Sequence, residues 1–446
     1  MTAALDRALL AEVSTHIAER MGLHFPEERW PDLARALVSA ARELGFDHLD
    51  AFICSLRTRG LTSRQIETLG CHLTVGETYF FRDPLTFEVL ERDILPALDA
   101  ARAETGRALR LWSAGCCTGE EAYSIAISCA RVLTDLRPSN VSILATDISP
   151  RFLAKAEAGV FSEWSFRGTP DWLRGGFFCP APDKKLAVTR IMKDLVHFGY
   201  LNLAEDIYPS LHNHTNAMDV IFCRNVLMYF TPDHQRRVVA ALHRCLVDGG
   251  YLVVNPAEAS ASLFPMFTVE NIGGVTLYRK AAQPTRADTL PGLVSPVPAP
   301  VAPAPAAPPI MPITSSPCDE LLVLARSHAN QGRLEEALSS CQGAIEAEHT
   351  NAAAHFLYAT ICHELGRLGD AITALGKVLY LDQDFILAHH ALGGLYKRLG
   401  KQRESGRHFA VALQLLSARK RDEIVPDSDG MTCGRLVESV QAMTGT

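Results

Sequence analysis

The sequence predicts an α/β protein with a doubly wound parallel sheet at its centre, an all-helical segment before it and a helical repeat array after it. Three observations carry this. Between about 106 and 280, short apolar runs of the buried-strand type alternate with helix-start signals. Residues 1–75 carry only helically spaced apolar side chains. Beyond Pro317 a pattern recurs every 34 residues. The totals agree, since 446 residues with 48% hydrophobic and 21% charged content describe a soluble globular chain with room for two or three cored domains.

In chain order, residues 1–75 form the helical segment. Leu5, Leu9, Leu10 and Val13 make one stripe, Leu33, Leu37 and Val38 a second, and Ile66, Leu69 and Leu73 a third. Arg57, Arg59 and Arg64, close to one turn, read as a solvated face. Residues 76–280 form the α/β domain. Its strands are ALRLWSA, VSILATD, VHFGYLN, MDVIFCR and GYLVVNP. Ser149-Pro150 and Thr231-Pro232 are helix starts, each a cap residue followed by proline at the first helical position. Residues 160–194 are too long for a plain loop and hold Trp164, Phe166, Trp172, Phe177 and Phe178, so a small inserted subdomain is expected there.

Residues 281–317 contain eleven of the 25 prolines and almost no charge, a composition that favours an extended tether. At about 3.1 Å per residue it would separate its neighbours by up to roughly 100 Å, so the repeats are expected to be removable without unfolding what precedes them. In 318–418, GRLEEA begins at Gly332, GRLGDA at Gly366 and GKQRES at Gly400. Ala325, Ala359 and Gly393 keep the register, as do Ala344, Val378 and Ala412. A 34-residue period with small residues at helix crossings resembles the tetratricopeptide repeat. The tail, 419–446, is read as one further amphipathic helix that caps the array.

Several classes are excluded. A net charge of −7 without a basic stripe argues against nucleic acid. The 12 cysteines lack CxxC spacing, so neither a zinc site nor any other metal is expected, and reduced thiols of a cytoplasmic protein fit a chain this size better than a disulfide framework. Asp6 and Glu12 interrupt the first apolar segment, which is not read as a signal peptide, and no window has the 18 apolar residues of a membrane span.

In a doubly wound sheet the ligand lies at the carboxyl ends of the strands. Strand one runs into LWSAGCCTGEEAYS, and strand two ends at Asp147, about one β-α-β step later. An acidic residue there accepts hydrogen bonds from both hydroxyls of a ribose. Glu120 and Glu121 argue against a pyrophosphate at the turn, because like charges repel. A nucleoside with an amino-acid tail and a positive sulfur fits better, and S-adenosylmethionine has that chemistry.

Two further segments, TYFFRD (Thr78–Asp83) and CRNVLMYF (Cys223–Phe230), complete a set with WSAGCCTGEEAYSIAI, ATDIS and LNLAED. In this order and spacing, over roughly residues 1–280, the set closely resembles the CheR-type glutamate methyltransferases that modify chemotaxis receptors. The resemblance implies a Rossmann-like S-adenosylmethionine-dependent domain with a small β-subdomain at 160–194 and a receptor-facing helical domain at 1–75. The repeat extension resembles that of a subset of the family. Position by position, it places Thr78 and Arg82 at the methionine end of the cofactor, Glu121 with its neighbour Glu120 at the cradle, and Asp147 at the ribose. Asn202 with Leu203, and Asn225 with Val226, would flank the adenine and the methionyl portion. Arg82 and Tyr229 match the family's proposed catalytic pair. Two departures stand out. Gly76 replaces a frequent asparagine, and Asn255-Pro256-Ala257-Glu258 replaces the usual Gly-His-Ser-Glu.

The resemblance implies methyl-ester formation on glutamate carboxylates in the cytoplasmic domains of methyl-accepting chemoreceptors. The enzyme would be a cytoplasmic monomer, without membrane insertion, recruited to receptor arrays at the inner membrane. A peptide or protein partner would occupy the repeats. A different class of reading is a signalling scaffold with a weak cofactor site that acts through the repeat groove. Cofactor binding to residues 1–280 separates the two.

Overall fold

The computed structural model describes residues 7–105, 107–281 and 316–444. Four helices open the chain: α1 (Arg7–Met21), α2 (Trp30–Glu43), α3 (Leu49–Arg59) and α4 (Ser63–Leu73). Leu5 lies outside the described residues; the helices follow the rest of the predicted stripes, and Leu10, Val13, Leu33, Leu37, Ile66 and Leu69 are buried. Their core is continuous with side chains of the sheet such as Trp112, Leu144 and Met218. An isolated bridge between Leu23 and Phe230 also joins them to the sheet domain.

After Thr78–Asp83 come α5 (Pro84–Val89), a π turn (Leu90–Ile94) and α6 (Leu95–Thr105). The αβ alternation then supplies β1 (Leu109–Ala114), α7 (Glu120–Val132), β2 (Val141–Asp147) and α8 (Pro150–Ala158). Ser149 caps α8 by accepting the Phe152 N–H, as the Ser-Pro signal predicts. The insertion holds β3 (Val160–Phe161), the single turn α9 (Arg174–Phe177), β4 (Phe178–Ala181) and β5 (Lys185–Val188), which form a small antiparallel sheet in the order β3-β5-β4. Phe80 is fully buried against it, with ring centroids 4.9 Å from Phe161 and Phe166 and 5.0 Å from Phe178.

The chain returns through α10 (Arg190–Leu195), β6 (Val196–Tyr200), β7 (Met218–Phe222), α11 (Pro232–Cys245) and β8 (Leu246–Val253). Two strands that the sequence reading missed follow, β9 (Phe267–Ile272) and β10 (Val275–Lys280). The sheet order is β6-β2-β1-β7-β8-β10-β9, with every strand parallel except β10, which runs antiparallel to both of its neighbours. Order reverses between β1 and β7, which opens a crevice above their carboxyl ends. The signal for the missed hairpin was present in Gly273-Gly274, a two-residue turn between alternating residues.

Three helix pairs make up the repeats: α12 (Pro317–Asn330) with α13 (Leu334–Ala347), α14 (Ala352–Glu364) with α15 (Leu368–Leu381), and α16 (Ile386–Arg398) with α17 (Gln402–Ser417). The helix α18 (Cys433–Thr444) packs on α17. Ala325, Ala359, Ala344, Val378 and Ala412 are buried at the crossings, as their register requires. Most of the expected tether lies outside the described residues, and Pro317 is the first residue of α12, capped by Ser316. The wide separation it would permit is not what the structure has. The repeats pack against the α/β domain, with Leu211 buried in the repeat core and Arg110 of β1 bonded to Glu364 of α14 at 2.8 Å.

Candidate active site

The crevice above β1, β2 and β7 is a cavity with about 1130 Å³ of empty space, its open mouth included. Its floor begins where β1 ends. Gly115 and Cys116 still donate to the Thr146 carbonyl (2.8 and 2.9 Å), then the chain curls through Gly115 (φ +87°) and Cys117 (φ +51°). A Cβ on Gly115 would stand 2.4 Å from Cγ2 of Val226, so only glycine meets both the turn and the approach of the β7 loop.

Asp147 closes β2 and faces the cavity. Its Oδ2 accepts the Cys117 N–H and its Oδ1 the Ser149 N–H, both at 2.9 Å. Burial raises its carboxyl above the usual range, and these N–H groups oppose the shift. Each oxygen keeps a second lone pair for a ligand hydroxyl. Glu121, also lining the cavity, accepts Ser113 Oγ at 2.7 Å and Arg224 Nη1 at 3.3 Å. Burial raises its carboxyl too, against the charges of Arg224 and Arg82.

Glu120 takes a different place from the one expected. It is buried, does not line the cavity, and its carboxylate accepts Thr118 Oγ1 (2.6 Å) and Ser165 Oγ (2.9 Å). It ties the turn to the inserted subdomain. The cause is helical geometry: adjacent residues at the start of α7 point about 100° apart, so Glu121 alone faces the ligand side.

The other candidates meet on the walls. Thr78 and Arg82 come from the loop anchored by Phe80, with Arg82 Nη1 donating to the Glu77 carbonyl at 2.8 Å. Asn202 and Leu203 follow β6, which ends two residues before the expected Asn202. Asn202 is buried and committed to the scaffold, donating to the Arg20 carbonyl (2.8 Å) and accepting from Ala204 N–H (3.1 Å). Asn225 and Val226 follow β7, and Tyr229 ends the short 3₁₀ turn behind them.

Three contributors stand outside the expected site residues. Glu258 is buried, and its carboxylate accepts the N–H groups of Asn225 (2.7 Å), Val226 (2.9 Å) and Met228 (3.2 Å). It sets the backbone of that wall, which explains why the glutamate persists where the neighbouring residues depart from the family pattern. Arg224 is the buried cation beneath the cavity, bonded to Glu121 and to the Arg82 carbonyl, while its Nε has no protein partner. His24 lines the cavity from the N-terminal helices, its N–H donating to the Tyr229 carbonyl at 2.7 Å. The sequence reading placed no histidine in the crevice. No spacing signal links His24 to residues two hundred positions away. The Gly76 departure also has a counterpart, since a Cβ there would lie 2.8 Å from the ring of Phe152, which lines the same cavity.

One wall therefore presents carboxylates (Asp147, Glu121), another apolar surface (Leu203, Val226, Ile148, Phe152), and the mouth a cation (Arg82). That set suits a ligand with hydroxyls, a flat apolar ring, a positive centre and a carboxylate.

Comparison with known proteins places this geometry. Residues 76–272 match the family described as "CheR methyltransferase, SAM binding domain", and residues 310–378 match "Anaphase-promoting complex, cyclosome, subunit 3". The chain is 35% identical to chemotaxis protein methyltransferase 1 of Pseudomonas aeruginosa over 213 residues, covering 46% of this chain and 74% of that protein. It is 30% identical to the chemotaxis protein methyltransferase of Borreliella burgdorferi, covering 54% and 84%. A probable biofilm formation methyltransferase, WspC, of Pseudomonas putida is 28% identical over 82% of this chain and 89% of its own length.

Proposed function

The chain belongs to the chemotaxis protein methyltransferase family, with S-adenosylmethionine as its cofactor, and from that premise we propose that it methylates glutamate side chains of a signalling receptor. The observation that carries this reading is the convergence of Arg82, Asp147, Glu121 and Tyr229 on one cavity. Bound there, the cofactor supplies an electrophilic methyl group on a positive sulfur. Asp147 holds the ribose hydroxyls and Glu121 faces the positive end. Asn202, Leu203, Asn225 and Val226 contribute backbone and apolar walls. Thr78 and Arg82 lie at the amino-acid end, where Arg82 pairs with a carboxylate of the cofactor or of the acceptor; both uses need a fixed cation. Tyr229 orients the acceptor.

A receptor glutamate, with an unperturbed pKa of about 4.3, is already ionised at neutral pH and needs no base. His24 is therefore not required as one, although it lines the cavity. The acceptor enters beside the N-terminal helices, whose α1–α2 connection lines the cavity with His24, Phe25 and Arg29, and these helices serve as the receptor-facing surface. Among the described residues no helix is long and apolar enough to cross a membrane. The substrate in this reading is the cytoplasmic part of a methyl-accepting receptor. Recruitment to receptor arrays and action as a monomer belong to the same proposal. No feature of the site favours a scaffold without catalysis.

The test uses tritiated S-adenosylmethionine and the receptor cytoplasmic domains of the source organism. Transferred label should be released as volatile methanol by alkali, and the rate should stay flat through the histidine range. Base-stable label, or a rate that tracks a histidine, would transfer the assignment to an amine or hydroxyl acceptor deprotonated by His24.

A further inference from the structure

The inner face of the repeats, formed by the first helix of each pair, is the surface on which such arrays usually hold peptides. Here the α/β domain covers it along α12 and α14, and α18 lies on α16, where His390 Nε2 meets Ser439 Oγ at 3.1 Å. The crossover between Tyr200 and Met218 has no helix, unlike the other crossovers of the sheet, and so long a bare connection is uncommon without a role. Its later part, Asp206–Ala217, lies along α12 and α14. Leu211 is buried among repeat residues that include Leu357. The His212 ring stacks on Phe356 with centroids 5.5 Å apart and planes 11° from parallel. Asn216 Nδ2 and Ala217 N–H donate to the carbonyls of Ala329 and Asn330 (3.3 and 3.1 Å), as an external peptide would with a helix end.

Polar contacts to two carboxylates fix both ends. Glu364 of α14 pairs with His214 (3.4 Å) and with Arg110 (2.8 Å), and Arg110 also holds the His214 carbonyl at 3.0 Å. Asp429, just before α18, accepts Ser210 Oγ and Arg326 Nη1, each at 2.8 Å, and lies 3.9 Å from His212. The groove thus offers an apolar slot between two acidic anchors. The resident segment supplies a leucine and two imidazoles, helped by one arginine.

We propose that the inner face of the repeats is a peptide-binding surface kept closed by the chain's own Asp206–Ala217 segment, and that its partner is a peptide with an aliphatic residue followed by cationic or imidazole side chains. The proposal deepens the reading of the repeats as a peptide site and does not depend on methyl transfer. A partner has to outcompete a tethered ligand at high effective concentration, so it binds weakly until the segment is released. The segment reaches the cofactor cavity as well, because the Tyr208 hydroxyl donates to the Leu203 carbonyl at 2.7 Å.

The test uses the full-length protein and a fluorescent synthetic peptide copying residues 206–217. In a variant carrying Leu211→Ala and His212→Ala, the peptide should bind at least ten-fold more tightly than to wild type, and adding Glu364→Gln should reverse that gain. Hydrogen exchange on the wild-type protein gives an independent readout. Excess peptide should speed exchange at least ten-fold in 206–217 while α14 stays protected, and a peptide with alanine for its leucine and both histidines should not. Equal affinities for the variant and wild type, or no peptide-dependent change in 206–217 exchange, would overturn the proposal; if the variant fails to fold, the exchange result decides.

Discussion

Arg224 donates from Nη1 to Oε2 of Glu121 at 3.3 Å, a buried arginine and a half-buried glutamate that join the end of β7 to the start of α7 beneath the cavity. The same guanidinium donates to the Arg82 carbonyl at 2.7 Å and reaches Asp83 at 3.4 Å, so one cation holds both the cradle and the loop that carries Thr78. Removing it leaves Glu121 at the cavity without its counterion. Arg224→Met should cost about 1–3 kcal/mol of stability in urea denaturation and weaken cofactor binding in calorimetry. Unchanged stability would mean that water in the cavity takes over the role of the arginine.

Asp147 lines the cavity as the proposed ribose contact. Asp147→Ala removes charge-assisted contacts of about 2–3 kcal/mol, so cofactor affinity should fall by one to two decades in titration calorimetry. Asp147→Asn should lose less, because its amide oxygen still accepts one of the two N–H groups that Asp147 holds. Wild-type affinity in the alanine variant would remove Asp147 from the ribose site.

Gly115 tests the cradle's backbone. Gly115→Ala adds a Cβ 2.4 Å from Val226 in a left-handed conformation that costs other residues about 1–2 kcal/mol. Cofactor affinity should drop at least ten-fold. Combining it with Val226→Ala relieves the clash and not the backbone strain, so the double variant should recover only in part. Full recovery would show that the left-handed turn is not needed.

Glu364 gives the docked repeats a pH dependence. Burial alone would raise its carboxyl, but contacts with His214 and Arg110 outweigh burial and bring it down to about 2. A folded-state pKa below the unfolded value stabilises the protein above the unfolded value and loses that contribution as pH falls. The stability difference between wild type and Glu364→Gln should shrink as pH falls from about 4.5 to about 2. Denaturant titrations across that range check it, and a difference independent of pH would mean that Glu364 is not held ionised by its partners.

The sequence by itself determined what repeats or is local. Buried-strand runs, cap-proline pairs and the 34-residue period depend on neighbours a few positions apart, so β1, α8, α11 and α12–α17 were legible. The motif order also pointed to Thr78, Arg82, Asp147 and Tyr229, which the structure brings to the lining of one cavity. Tertiary structure decided whatever depends on direction and distance. It turned Glu120 toward Ser165 and left Glu121 at the cavity, a rotation of one residue around α7. It brought His24 to Tyr229 and set Glu258 beneath the Asn225 backbone. It also folded the repeats back on Leu211 and His212, although a proline-rich connection permits a wide separation. Composition fixes how far a connection can reach, but the apolar surface and buried charge at its two ends decide where those ends settle.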